Sequence, residues 1–346
     1  MIRVGVIGLG FMGATHIAAI NAAREAGFAC RLTAVCDRKE SRRQGKLWDV
    51  GGNAVSDTSA QKLAFDPGEV TGYERDEQLI NDPNIDLVCI CTRTDTHVEL
   101  AARALRAGKH VLVEKPVSLH ASEIRKLDAI ARETGKICMP AMCMRFWPAW
   151  SWLKARIDDR QFGRCVSATF ARLAAMPSWS GFFADGAKSG GALVDLHIHD
   201  ADFVYWCFGK PDSVSSAGRV GSSGAVDHVT TIYRSGKPQA ATHVVAEGGW
   251  DHHGGFAFRM RYVAIFEHAT VDFDLTRDPQ LLLCRDGKSE PVNLEPLSGY
   301  DLQLRHLVDV IKSGKSETLA TLTDAAAVAD LLDAERESVL GGTTRR

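Results

Sequence analysis

The stretch GGALVDLHIHD, Gly190 to Asp200, places two carboxylates and two imidazoles behind a pair of glycines. Such groups serve one of three ends: they ligate a metal ion, they exchange a proton as an acid–base pair, or they decorate a polar helix that happens to be rich in histidine. At ~100° per residue, a helix running on from Asp195 sets Asp195 and His199 about 40° apart on one face, with Asp202 close to the same line. His197 points away from them, toward Val204. The spacing selects Asp195 and His199, at i and i+4, as partners. An imidazole titrates near neutral pH, which makes His199 the candidate base.

What these groups do depends on the elements that carry them. Residues 2 to 8 are a β-branched apolar run that stops at Gly8, Phe11 to Glu25 has apolar residues at helical spacing, and Leu32 to Cys36 is a second short run ending at Asp37. A charged helix, Lys39 to Trp48, follows. Gly51 to Gly72 has no clear period and reads as an irregular excursion with a short strand, longer than most connections. IDLVCICT, KHVLVEKP and KICMPAMCM then alternate as strands with the helices HVELAARALRAG and SEIRKLDAIARETG. Strands alternating with helices imply a parallel, doubly wound sheet of Rossmann type over residues 1–145. Past a helix around Trp150 to Ile157, strand-like runs are separated by turns rather than helices, up to two closing helices, Leu302 to Lys312 and Asp324 to Leu340. Residues 146–346 are therefore expected to form an α+β domain with a large, mostly antiparallel open sheet.

Within that first sheet, GLGFMG fits G-x-G-x-x-G with a strand before it, a helix after it and an acidic residue closing the next strand. Gly8 permits the tight turn, Gly10 lets the backbone approach a pyrophosphate, and Gly13 lets the helix pack close, so Gly8, Gly10, Phe11, Met12 and Gly13 form the expected dinucleotide cradle. Asp37 is placed to accept hydrogen bonds from the adenosine ribose, which favours NAD. Arg38, with Arg42 and Arg43 nearby, keeps NADP as the alternative, since a guanidinium there could hold a 2′-phosphate. The bland reading is a glycine-rich turn and a solvated helix face.

Composition narrows the partners. The 346 residues are 45% apolar with a formal net charge of −2, which lacks the basic excess that nucleic acid or an anionic membrane would favour. Nine cysteines include no C-x-x-C pair, so neither a disulfide framework nor structural zinc is expected. Met1 runs directly into an apolar strand, no leader is recognisable, and no apolar run approaches the ~20 residues of a membrane span. The expectation is a protein of the reducing cytoplasm.

Two further motifs follow successive strands at their C-terminal ends, where doubly wound sheets hold ligands: CTRTDTHVELA, Cys91 to Ala101, and VEKPVS, Val113 to Ser118. Taken together, GLGFMG, T-x-T-D-T-H, E-K-P and GGALVDLHIHDADF resemble the Gfo/Idh/MocA family, which contains glucose-fructose oxidoreductase and inositol dehydrogenase. The resemblance spans nearly the whole chain, and its E-K-P and D-x-x-x-H-D elements are far more specific than the glycine motif.

It implies that Lys115 is a catalytic and substrate-binding residue beside the nicotinamide, with the Lys115–Pro116 bond often cis. It also implies that Glu114 sits near the nicotinamide ribose, and that Thr92, Thr94 and His97 line the cofactor groove. Asp195 and His199 would face that groove, and Arg145, in MRFWP, would approach substrate or nicotinamide. Arg93 departs from the family's usual proline, and the Gly51 to Gly72 excursion is also atypical.

Hydride transfer from a secondary alcohol needs a C–H bond held over the nicotinamide, a base for the hydroxyl proton, and positive charge beside the oxygen. His199, Lys115 and Asp195 can supply the last two, Asp195 by orienting His199 or binding a neighbouring hydroxyl. Trp147, Trp150, Trp152 and Trp179 offer aromatic faces for a sugar or polyol. Trp179 is the candidate substrate contact, although core packing serves equally for any single tryptophan. His197 reads as a packing or surface residue. Asp251 to His253 could complete a metal site with His197 or His199, but lies in a glycine-rich loop with no fixed geometry toward Asp195. The expectation is an NAD(P)-dependent oxidoreductase of a sugar, cyclitol or polyol, assembled as a homo-oligomer, dimer or tetramer. Its rivals are a non-catalytic nucleotide-sensing regulator on the same scaffold, and a metal-dependent hydrolase or lyase using the histidines and Asp200.

Overall fold

Apolar β-branched runs bounded by glycine and polar residues become the strands of a computed structural model, which describes residues 1–47, 63–236, 241, 243–342 and 344–345. Two compact units result, Met1–Cys143 with Ser298–Ala326, and Met144–Leu297 with Ala327–Arg346.

The first unit alternates β1 (Ile2–Ile7), α1 (Phe11–Glu25), β2 (Cys30–Cys36), α2 (Glu40–Arg43), β3 (Thr71–Tyr73), α3 (Asp76–Asn81), β4 (Leu87–Ile90), α4 (Thr94–Arg106), β5 (His110–Val113), α5 (Ala121–Thr134) and β6 (Cys138–Pro140). Its six strands pair in parallel in the order β3-β2-β1-β4-β5-β6. Val4, Val6, Leu87, Val88, Ile90, Val111 and Val113 are all fully buried, as strands covered on both faces require. The expected doubly wound sheet is thus observed. Two elements are shorter than their sequence patterns. The helix expected from Lys39 to Trp48 is only α2, because Gly45 turns left-handed at φ 76°; Trp48 and residues 51–62 lie outside the described residues. The run KICMPAMCM is a strand only as far as Pro140, beyond which Cys143–Phe146 form a 3-10 turn.

The second unit holds α6 (Pro148–Asp159), β7 (Cys165–Ala175), α7 (Gly186–Ser189), α8 (Gly191–Asp195), α9 (Ile198–Phe208), β8 (Ser213–Val220), β9 (Val226–Arg234), β10 (His243–His252), β11 (Arg259–Phe266), β12 (Thr270–Asp274), β13 (Leu281–Arg285) and β14 (Lys288–Pro291). Its eight strands lie in the order β14-β13-β12-β11-β7-β10-β9-β8, antiparallel except for β7 beside β10. Along β11, Met260, Tyr262, Ala264 and Phe266 are buried and Arg259, Arg261, Val263 and Ile265 exposed, the period of two that one covered face imposes. Trp150 fills this core, edge-on to Tyr262 and Phe273 at 4.9 and 4.7 Å between ring centroids. That settles Trp150 as a core residue rather than a sugar platform.

Two helices close the chain, α10 (Gly299–Ser313) and α11 (Leu322–Gly341). The units divide differently from the expected 1–145 and 146–346, because α10 belongs with the first sheet. A capping box starts it, with the Ser298 hydroxyl accepting the Asp301 N–H at 3.2 Å and the Asp301 carboxylate accepting the Ser298 N–H at 3.0 Å. Its buried Leu304, Leu307 and Val308 form one apolar face, and the helix packs on α1.

Candidate active site

Register brings the first unit's motifs together. Ile7 of β1 pairs with Ile90 of β4, and Ile90 with Val113 of β5, so Gly8, Cys91–Thr92 and Glu114–Lys115 leave the sheet side by side at its C-terminal edge. Gly8 has φ 89°, and an added Cβ would lie 2.7 Å from the Cys91 carbonyl oxygen. At Gly13 an added Cβ would lie 2.1 Å from the Gly8 carbonyl oxygen, so this glycine is a packing requirement between helix and turn. Around Gly10 nothing lies within 4 Å of such a Cβ. Gly10 caps α1 without a side-chain hydrogen bond, so the first turn, Phe11 and Met12 included, has no side-chain oxygen from its cap; open space at uncapped N–H groups fits a pyrophosphate.

Asp37 braces this cradle. Its carboxylate accepts the Leu9 N–H at 2.9 Å and the Lys39 N–H at 2.8 Å. Arg42 stands 3.7 Å away, while Arg43 donates to the main-chain carbonyls of Asp37 and Arg38 at 2.8 and 3.0 Å. Arg38 itself is exposed.

The E-K-P segment is held on both sides. The Lys115–Pro116 bond is cis. Glu114, buried, accepts the Lys115 N–H at 3.2 Å through one oxygen and faces His16 Nε2 at 2.7 Å through the other. His97 lies 1% exposed with Nδ1 2.9 Å from the Pro116 carbonyl oxygen and Nε2 3.1 Å from that of Thr92. Burial pushes the His97 imidazole below its ordinary pKa, against the pull of those two carbonyls. A neutral imidazole has one N–H to give, so His97 donates to one of these carbonyls and abuts the other, standing behind both loops. Thr92 and Thr96 share a hydroxyl hydrogen bond at 2.7 Å, Thr94 is buried at the start of α4, and Arg93 pairs with Asp95 at 3.3 Å on the surface. His16 stands in none of the motifs; its only local signal in the sequence is a position three residues beyond Gly13, on the helix that leaves the cradle.

In the second unit the GGALVDLHIHD stretch is not one helix. Asp195 ends α8 and His199 is the second residue of α9, with the chain interrupted at Leu196 and His197, whose N–H groups both donate to the Ala192 carbonyl at 2.9 and 2.8 Å. The single-face argument for Asp195 and His199 therefore fails, although the two remain close in the chain on either side of the break. The break turns His197 inward. It is fully buried, with Nε2 3.0 Å from a Glu335 carboxylate oxygen and 3.2 Å from the Tyr233 hydroxyl, and Gly248 packs so near that an added Cβ would stand 2.7 Å from it.

The other carboxylates of α9 are taken by arginines. Asp200 meets Arg172 at 2.8 Å and Asp202 meets Arg145 at 2.6 Å, all four side chains at most 3% exposed. Arg145 is thus held in a buried ion pair with Asp202, as a charge this deep requires a partner. The same holds for Asp200 with Arg172. In the Asp251 to His253 run, Asp251 contacts His228 at 2.8 Å and Arg219 at 2.6 Å, and His252 stacks on Phe256 at 4.0 Å. Among the described residues no cluster of three or more His, Cys, Asp or Glu is placed to hold a metal ion. Trp179 is 41% exposed and edge-on to Phe183.

Residues 2–142 match the family model described as "Oxidoreductase family, NAD-binding Rossmann fold", and residues 150–271 match "GFO/IDH/MocA C-terminal domain". The scyllo-inositol 2-dehydrogenase (NAD(+)) of Bacillus subtilis is 28% identical over 91% of this chain and 87% of its own. The trans-1,2-dihydrobenzene-1,2-diol dehydrogenase of Sus scrofa is 35% identical over 46% of this chain; the match spans about half, 48%, of that relative's length. Among solved structures, levoglucosan dehydrogenase in complex with NADH and levoglucosan superposes with a TM-score of 0.81 over 99% of this chain and 98% of its own, at 20% identity, a likeness of fold. No described helix is long and apolar enough to cross a membrane.

Proposed function

Because the chain belongs to the Gfo/Idh/MocA family of oxidoreductases, we propose that it is an NAD(P)-dependent dehydrogenase or reductase that interconverts a secondary alcohol and its ketone on a sugar, cyclitol or related polyol. NAD is the preferred cofactor and NADP the alternative. The observation that carries the reading is the Lys115 segment, pinned through Glu114 and Pro116 beside an open, uncapped glycine cradle on the same sheet edge. Bound nicotinamide supplies the hydride acceptor or donor.

The chain's own groups handle the proton and the oxygen. As the hydroxyl proton leaves, the oxygen develops alkoxide character, and its electron pair closes the C=O bond as the carbinol C–H bond breaks and that bond's pair leaves with the hydride. The Lys115 ammonium stabilises that charge, His199 takes the hydroxyl proton, and Asp195 holds a neighbouring hydroxyl or orients His199. In the reverse direction the same groups return the proton. Glu114 faces the nicotinamide ribose, and Thr92 and Thr94 border the groove, with His97 setting their loop. Trp179 offers an aromatic face to the ring.

Relatives named for an inositol and for a 1,2-diol support a ring alcohol with an adjacent hydroxyl as the substrate class. Nine free cysteines suit a reducing cytoplasm. The exposed Val263 and Ile265 on β11 support a homo-oligomer, dimer or tetramer, which sedimentation would resolve.

The test is a panel of cyclitols, sugars and cyclic 1,2-diols, with their ketones, read at the reduced-nicotinamide absorbance with both cofactors. Turnover of a ring alcohol is expected. Cofactor binding without turnover across the panel would contradict the enzyme reading.

A further inference from the structure

A histidine outside every motif is built into the Lys115 segment. His16, on the second turn of α1, is fully buried, and its Nε2 lies 2.7 Å from a Glu114 carboxylate oxygen. The other Glu114 oxygen accepts the N–H of Lys115 at 3.2 Å. His16 Nδ1 is buried with no hydrogen-bond partner among the described residues, so the tautomer that satisfies the pair carries its proton on Nε2 and directs its one donor at Glu114. A buried carboxylate is costly unless each oxygen is met by a donor. Here one donor comes from α1 and the other from the main chain of the next residue.

We infer that His16 is a positioning residue for Lys115, acting through Glu114. The inference rests on the proposed role of Lys115. By anchoring Glu114 to the helix that leaves the glycine cradle, His16 ties the main chain of Lys115 to the element that begins at the pyrophosphate-binding turn. Cofactor cradle and lysine then share one rigid reference. His97 stands against the carbonyl of the following residue, Pro116. Without the His16 donor, Glu114 keeps an unmet oxygen, and its grip on the Lys115 N–H loosens.

The test compares wild type, His16→Leu and His16→Gln. Gln carries an amide N–H that reaches to the position of Nε2, whereas Leu fills the volume without a donor. Three readouts are taken: the pH dependence of Lys115 acetylation by acetic anhydride, followed by peptide mass spectrometry; the NADH dissociation constant; and kcat and KM. His16→Leu is expected to shift the Lys115 acetylation profile and lower kcat by roughly tenfold to a hundredfold, the range that displacement of a reacting group produces, with KM and NADH affinity nearly unchanged. His16→Gln is expected to restore most of both. An unshifted profile in a folded His16→Leu protein overturns the inference, as does equal impairment of the two variants at equal thermal stability. Should His16→Leu fail to fold, Glu114→Leu cuts the link at its other end, since it removes both acceptor oxygens; a wild-type acetylation profile there overturns it. Acetylation needs no substrate, so a protein that turns over nothing in the panel removes the enzyme proposal and leaves this test standing.

Discussion

Glu335 and His197 face each other at 3.0 Å with neither side chain exposed to solvent. One comes from α11 and the other from the break between α8 and α9, so the residue at the break meets a partner 138 residues away in sequence. Burial and the Glu335 charge together push the neighbouring Tyr233 hydroxyl well above its ordinary pKa, which keeps it neutral beside them.

His197→Ala is therefore a severe change, although the sequence alone marks His197 as a packing or surface residue. Removing one member of a buried ionisable pair typically costs about 3–5 kcal/mol. Chemical denaturation should show a loss of that order, and a loss under about 0.5 kcal/mol, typical of surface positions, would contradict it.

Gly10 and Gly13 should separate binding from folding. Gly10→Ala puts a methyl into open space at the α1 N-terminus, so NADH affinity should fall while the melting temperature barely moves. Gly13→Ala drives a methyl against the Gly8 carbonyl at 2.1 Å and should lower stability whether or not cofactor is present. Calorimetry with and without NADH tests both; a stable Gly13→Ala, or a Gly10→Ala that binds NADH as wild type does, would count against the cradle.

Asp37→Ser removes the negative charge that disfavours a 2′-phosphate. Its NAD:NADP affinity ratio should move toward NADP by about tenfold, and Arg38→Ala in the same background should undo part of the gain. Paired titrations of NADH and NADPH read this directly, and an unchanged ratio would mean that selection lies elsewhere.

Acid should weaken the first unit before its carboxylates titrate. Burial lowers the imidazoles of His97, His110 and His306 below their ordinary pKa. His110 and His306 also accept the N–H groups of Ile137 and Leu319, both at 3.1 Å, through lone pairs that protonation would remove. Because these three histidines are more basic unfolded than folded, their contribution is intact above about pH 6.5 and declines as the pH falls below it. His228 has the opposite sign: burial alone would lower it, but the hydrogen bonds it donates to Asp251 and Glu247 hold it raised, so its contribution is present at acid pH and lost as the pH rises. Urea midpoints should fall between about pH 6.5 and 5, more steeply in His228→Gln. A midpoint flat or rising toward acid would refute this balance.

Features carried by adjacent residues were legible in the sequence: the alternation that builds the parallel sheet, GLGFMG with Asp37 at the next strand end, and E-K-P after β5. Features made by distant pairing were not. The 195–199 segment has helical periodicity throughout, and the neighbours of His197 at its interruption, Glu335 and Gly248, lie far away in sequence, where local spacing cannot reveal them. The resemblance of MRFWP implies that Arg145 approaches substrate or nicotinamide, and nothing local in the sequence announces its buried ion pair with Asp202. The amphipathic pattern of α10 announces a helix without saying which sheet it covers, so nothing local in the sequence groups residues 298–326 with the first unit. His16 becomes visible only once sheet register brings Glu114 beside α1.

The central claim is that Lys115 acts on the substrate oxygen rather than on cofactor binding. The most direct measurement is kcat for Lys115→Ala on an active panel substrate, taken beside its NADH dissociation constant. In Lys115→Ala, kcat should be lower by roughly a hundredfold or more, the scale of an electrostatic group facing a developing oxyanion, with NADH affinity within a small factor of wild type. Full turnover in Lys115→Ala would contradict it.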